Sequence, residues 1–126
     1  MLEQLKTILG QDNDARKAAE AHIAKIKEGE PDKYASYLTI VLKEPECPAD
    51  IKVLSAVLLR RALCSAVGAK KETLWELMSQ GARDFLKANL LEILRGPHSK
   101  DMMHKLANLL VEVQGAMHEN NEEDIW

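Results

Sequence analysis

Residues Asp50 to Val67, reading DIKVLSAVLLRRALCSAV, constrain the fold more than any other stretch of this 126-residue chain. They contain neither Gly nor Pro. On a helical wheel Ile51, Leu54, Leu58 and Ala62 form one stripe, Val53, Val57 and Cys64 a second, and Leu59, Leu63 and Ala66 a third. A surface helix of a globular protein normally carries one apolar stripe, about 100° wide or somewhat more. This segment is apolar almost all the way round, interrupted mainly by Lys52, Ser55, Arg60, Arg61 and Ser65. Such a helix requires neighbours on several sides, and a layered stack of helices provides them.

The flanking sequence supplies candidate neighbours. Leu2, Leu5, Ile8 and Leu9 predict a short amphipathic helix ended by Gly10. The polar turn QDND is rich in N-cap residues and opens a second helix from about Asp14 to Lys27. The predicted apolar face of that helix is Ala15, Ala18, Ala19, His22, Ile23 and Ile26, small enough for a close neighbour. Gly29-Glu30-Pro31 breaks it, with Pro31 suited to the first turn of the next helix. That third helix, Asp32 to Lys43, carries Tyr34, Tyr37, Leu38, Ile40, Val41 and Leu42, and Glu44-Pro45-Glu46-Cys47-Pro48 stops it.

After the central segment, Gly68 is the expected stop. A long helix is predicted over about Lys71 to Leu94, facing the core with Leu74, Trp75, Met78, Ala82, Phe85, Leu86, Leu90, Ile93 and Leu94. Thr73 and Glu76 have capping-box spacing, which allows a start at Leu74, and Gly81 marks a close contact or bend. Gly96-Pro97 is a break. The last helix, from Ser99 or Lys100 to about His118, shows Met103, Leu106, Leu110, Val113 and Met117. An acidic tail, Glu119 to Asp124, precedes Ile125 and Trp126. That terminal apolar pair reads as the start of a further helix, whose loss would leave the last hairpin's apolar face exposed and able to associate. No segment has a convincing strand pattern.

Six helices in this order group as three antiparallel pairs, spaced by roughly 40 residues, within the range of HEAT and armadillo repeats. The pattern alone leaves an irregular helical bundle equally open. The length suits one compact domain or a few stacked repeats. At 46% hydrophobic and 29% charged residues a buried core is feasible, and 4% aromatics with abundant Ala and Leu favours helices over sheets. A net charge of −3 argues against a general nucleic-acid-binding surface. Cys47 and Cys64 form no C-x-x-C pair and read as reduced thiols of an intracellular protein. There is no secretory signal and no apolar run of the roughly 20 residues that span a bilayer, so a soluble cytosolic or nuclear protein is expected.

Chemistry-bearing groups are sparse. His22, on the Ala-rich face, reads as a packed, hydrogen-bonded residue. His118 with Glu119, Glu122 and Asp124 could be drawn as a metal site, but a solvated acidic tail fits the same residues. Neither cysteine has a defensible base nearby, and no phosphate-binding loop, dinucleotide fingerprint, zinc-protease helix or serine elbow occurs. No catalytic, metal or cofactor site is assigned, and the chain is read as a non-enzyme. Arg60 and Arg61 interrupt the apolar helix about 100° apart. Each could reach the edge of the stack and pair with a carboxylate or a helix C-terminus, or could face a partner. Lys105, Arg16 and Lys17 invite the same two readings.

Several of these motifs, taken in order, resemble one family. Asp14-Ala15-Arg16-Lys17-Ala18-Ala19-Glu20 resembles the R-x-x-A-E element near the N-terminus of importin-β-type transport receptors, the karyopherins. Ser55-Ala56-Val57-Leu58-Leu59-Arg60-Arg61-Ala62-Leu63 is similar to their second B helix, above all to the form found in the importin subunit beta-three branch, which prefers Leu where this chain has Ala62. Trp75, Phe85-Leu86-Lys87 and Leu90-Leu91 resemble the third A helix. Lys105, Leu109, Leu110 and Glu112 resemble the B helix after it, and Trp126 the start of a fourth repeat.

The resemblance implies an all-α, right-handed α-α superhelix of HEAT or armadillo type. Repeat one would cover about 1–29, repeat two 30–68 and repeat three 69–120, with a truncated fourth at 121–126. It implies an N-terminal receptor fragment whose B helices bind the GTP form of the GTPase Ran, whose outer A-helix surfaces contact Phe-Gly nucleoporins, and which carries cargo proteins while shuttling between cytoplasm and nucleus. Arg60 and Arg61 are the expected Ran contacts, with Lys52, Lys105 and Glu112 beside them. A monomer with no cofactor, no nucleic acid and no membrane partner is expected. The rival readings are a generic HEAT or armadillo scaffold or adaptor, and a small helical enzyme or metal protein.

Overall fold

The computed structural model describes residues 1–64, 66–67 and 72–119, and at Ala66, Val67, Glu72 and Glu119 the backbone only. The protein is all-α. Its helices are α1 (Leu2–Ile8), α2 (Asn13–Gly29), α3 (Pro31–Lys43), α4 (Ala49–Cys64), α5 (Leu74–Leu77), α6 (Gln80–Leu94) and α7 (Lys100–Glu119). Between α4 and α5, β1 (Ala66–Val67) and β2 (Glu72–Thr73) form a two-residue antiparallel bridge that the sequence pattern did not predict.

Local signals explain most of the boundaries. Asp12 caps α2, its carboxylate accepting from the backbone N–H groups of Asp14 and Ala15. Pro31 sits in the first turn of α3, where its missing N–H costs nothing. Thr73 and Glu76 close a full capping box at α5. The central helix ends at Cys64, not Val67, because Ala66 and Val67 turn into the bridge with Thr73 and Glu72. The stop expected at Gly68 lies outside the described residues.

The long helix expected over Lys71–Leu94 is two helices. Met78 and Ser79 are extended, and the Ser79 hydroxyl caps α6 by accepting from Ala82 N–H. Gly81 makes no close approach: a methyl there would meet only the Ser79 hydroxyl, at 4.0 Å. The break comes from the serine cap and not from the glycine. The short α5 turns Leu74 and Trp75 fully inward, and Arg83 of α6 lies 5.2 Å over the indole ring and donates to the Trp75 carbonyl at 3.0 Å.

α4 packs against α1, α3, α5 and α7, as an all-round apolar helix must. Ile51, Ala56, Leu59, Ala62 and Leu63 are buried, and Val53, Leu54 and Leu58 pack partly buried against the core. Burying a large aliphatic side chain contributes about 1.5–3 kcal/mol. Ser55, read above as a polar interruption, is itself fully buried and donates to the Leu38 carbonyl of α3 at 2.8 Å.

The second and third hairpins stack like on like. At the start of α3 the Asp32 carboxylate accepts from Ser79 N–H at the start of α6, 2.8 Å away. At the end of α3 the Lys43 ammonium donates to Asn89 of α6 at 2.6 Å and pairs with Glu92 at 3.4 Å. Start meets start and end meets end, so α3 and α6 run parallel, with partners 46 to 49 residues apart. α4 and α7 follow the same order: Val57 lies by Lys105 and Asn108, and Arg60 by Glu112 further along.

The first hairpin packs differently. α2 leans on α3, while α1 leans on α4. Only Leu5 of α1 and Ala19 and Ile23 of α2 are buried. His22, expected to be packed, is exposed. Tyr37, Ile40, Phe85 and Met103, predicted to face the core, are 38–52% exposed. In α7 Leu106, Val113 and Met117 are buried as predicted, but Met102 and Leu109 take the buried places expected of Met103, which is exposed, and Leu110, which is only partly buried, and Ala116 joins them.

Candidate functional site

The parallel stacking of α4 on α7 builds a furrow between them. Its α4 wall is Ala56, Val57 and Arg60, and its α7 wall is Lys105 and Asn108, around a cavity of about 30 Å³. Lys105, Asn108 and Glu112 are spaced by three and four residues, which puts them on one helical stripe. Arg60 Nε lies 3.7 Å from Glu112 Oε1, with the Arg60 side chain about half exposed (49%) and Glu112 more sheltered (28%). Lys105 has no carboxylate within ion-pair distance among the described residues. Among the described residues the furrow therefore offers one engaged and one unengaged cation, a carboxylate and an amide, above an apolar floor.

Three of the five expected partner-binding residues, Arg60, Lys105 and Glu112, come together here. Arg61 does not join them. It is exposed, and its backbone carbonyl accepts from the Cys64 thiol. Lys52 does not join them either. It lies roughly 12 Å down the helix from Arg60 and roughly 180° around from Arg61. It lines a separate groove of about 410 Å³ with Leu42, Lys43, Pro45, Ile93 and His98, where the inter-helix loops of the second and third hairpins meet. The five residues are thus spread over more than one place: Arg60, Lys105 and Glu112 at the furrow, Lys52 at the separate groove, and Arg61 on another face of α4. Asn108 was missed in the sequence, although its place between Lys105 and Glu112 on one stripe is the signal that finds it.

The larger groove is mostly self-satisfied. Lys43 is held by Asn89 and Glu92, the Asn89 amide donates to the Phe85 carbonyl at 2.7 Å, and the His98 ring meets the Ile93 carbonyl at the end of α6. Such a ring stabilises a helix C-terminus by capping its carbonyls. A third, open groove of about 370 Å³ lies between α1 and α2, lined by Gln4, Thr7, Ala15, Ala18, Ala19 and His22.

In the α3–α6 layer a different surface is exposed. Tyr37 and Ile40 stand on α3 and Phe85 on α6. Each precedes a tie by about one helical turn, Ile40 before Lys43 and Phe85 before Asn89, so the parallel register sets them side by side.

The thiols are placed for neither a bridge nor joint chemistry. Cys47 lies in the loop before α4 and Cys64 at its far end, about 24 Å apart by helix rise, whereas a disulfide needs Cα atoms within about 7 Å. Burial pushes the Cys47 thiol up from its ordinary value, so it is a poor nucleophile. Among the described residues no group of three His, Cys, Asp or Glu is placed to hold a metal. The drawn His118 site depends on residues outside that set. Among them, too, no helix is long and apolar enough to cross a membrane. No family model, curated protein or solved structure matches the chain.

Proposed function

We propose that this chain is an N-terminal set of HEAT repeats from an importin-β-type transport receptor, a non-enzymatic binding surface for the GTP form of Ran. In this reading the hairpins are successive repeats of an α-α superhelix, α3 and α6 are A helices, and α4 and α7 are B helices. The observation that carries it is the parallel stacking of α4 on α7, which gathers Arg60, Lys105 and Glu112 into one furrow. The motif order Ser55–Leu63, Trp75, Phe85–Lys87 and Lys105–Glu112 supports it independently. The exposed Tyr37, Ile40 and Phe85 fit the nucleoporin-facing surface between A helices. Cargo binding and shuttling between cytoplasm and nucleus follow from the same reading.

Ran's switch loops differ between nucleotide states, so a surface complementary to the GTP-ordered loops binds one state more tightly. The test is calorimetric titration of the chain with GTP-locked and GDP-locked Ran. The expected result is a preference for the GTP form of roughly tenfold or more, equivalent to about 1.4 kcal/mol. Equal binding of both forms, or none, contradicts the reading. A generic HEAT or armadillo adaptor is the second reading, favoured by the crosswise first hairpin, which departs from like-on-like stacking. A Ran-independent partner bound through the same furrow would decide for it.

A further inference from the structure

We infer that the α4–α7 furrow is a receptor for a carboxylate side chain of a protein partner, and that Glu112, by pairing with Arg60 in the free protein, is an internal competitor. The inference rests on the reading of this furrow as partner-facing, and it assigns the residues opposite roles. Lys105 and Arg60 bind, whereas Glu112 must let go.

Geometry and charge carry it. Arg60 Nε and Glu112 Oε1 are 3.7 Å apart, within ion-pair distance but looser than a well-formed charge-assisted hydrogen bond. Half-exposed pairs of this kind are weak, so an incoming carboxylate can displace Glu112 at little cost. Lys105, on the same stripe of α7, has no carboxylate of its own among the described residues. Of the two cations it alone makes no ion pair among the described residues, so it is the first point of contact. Asn108 adds an amide that donates to whichever oxygen faces it.

The cavity of about 30 Å³ is small, so it admits the tip of a carboxylate, a single oxygen, with the rest of the group outside on the furrow's rim. Glu112 itself shows that a carboxylate oxygen is accommodated beside Arg60.

The variants to compare are Glu112→Gln, Arg60→Ala and Lys105→Ala. Two probes are titrated into the labelled chain by NMR: GTP-locked Ran, and a short synthetic peptide of alternating Asp and Gly. Glu112→Gln is expected to tighten binding about two- to fivefold, the worth of a weak surface ion pair. Lys105→Ala and Arg60→Ala are expected to weaken it about three- to tenfold, with a shallower salt dependence. Far-ultraviolet circular dichroism of each variant shows whether the fold is kept. If Ran fails to bind while the peptide follows this pattern, the transport reading falls and the carboxylate receptor stands. If Glu112→Gln weakens both probes, Glu112 is a contact and not a competitor. If the peptide is indifferent to all three changes, the furrow is no carboxylate site. Either of these last results overturns the inference.

Discussion

The first hairpin and the two that follow it use the same element types, yet they are held in different ways. α3, α4, α6 and α7 are tied by named polar links, Asp32–Ser79, Lys43–Asn89, Ser55–Leu38 and Arg60–Glu112, over a core that includes Leu38, Leu59, Trp75, Leu90, Leu106 and Leu109. α1 and α2 contribute Leu5, Ala19 and Ile23 to that core, and among the described residues neither makes a polar link to another helix. Register is therefore specified in one region by directional bonds, and in the other by a few non-directional contacts. An Ala-rich helix can approach closely, but each alanine buries little area. The crosswise lean of α1 on α4 is what such a weakly keyed hairpin adopts.

The largest expected effect is at the seam. Trp75→Ala removes a fully buried indole between the second and third hairpins and should cost about 3–5 kcal/mol, lowering the whole cooperative transition in urea. Leu5→Ala should cost about 2 kcal/mol, at the low end for a buried leucine, and loosen the first hairpin alone. If Leu5→Ala instead unfolds everything, the contrast between the regions fails.

A pH experiment sharpens the same contrast. Burial pushes the Tyr34 phenol of α3 up to about 12, against about 10 in an unfolded chain. The folded state thus prefers the protonated phenol. Its contribution is fully present below about pH 10 and is lost as pH rises through about 12, for a total of about 2–3 kcal/mol. Near-ultraviolet titration should show Tyr34 ionising only with unfolding.

Smaller effects come from the caps. Ser79→Ala and Asp12→Ala should each cost about 1 kcal/mol. The first should appear in the global transition, and the second only in the helicity of α2. Comparable is Lys43→Met, about 1 kcal/mol, because its ion pair with Glu92 is partly exposed but its 2.6 Å bond to Asn89 is lost as well.

Sequence reading located α4 because an all-round apolar helix has few solutions, and it found the capping turn before α2, without singling out Asp12, and the capping box at Thr73 because these are local chemistry. It missed the break at Ser79, whose backbone N–H is held by Asp32, a contact 47 residues away that periodicity cannot see. In α7 the doublets Met102-Met103 and Leu109-Leu110 allow two registers one residue apart, and only packing against α4 chose between them. Tyr37, Ile40 and Phe85 fit a helical stripe but face outward, since apolar spacing does not say which flank lacks a neighbour. For the site, the spread of Lys52, Arg60 and Arg61 around α4 was legible from the wheel. That Arg60 meets Glu112 was not, because it depends on the parallel register of two helices.

Residue-resolved native-state hydrogen exchange tests the two-tier account most directly. The amides of α3, α4, α6 and α7 should exchange only through a common, global opening, while those of α1 and α2 open at distinctly lower free energy. Equal protection of the first hairpin, or early exchange in the middle of α4, would contradict it.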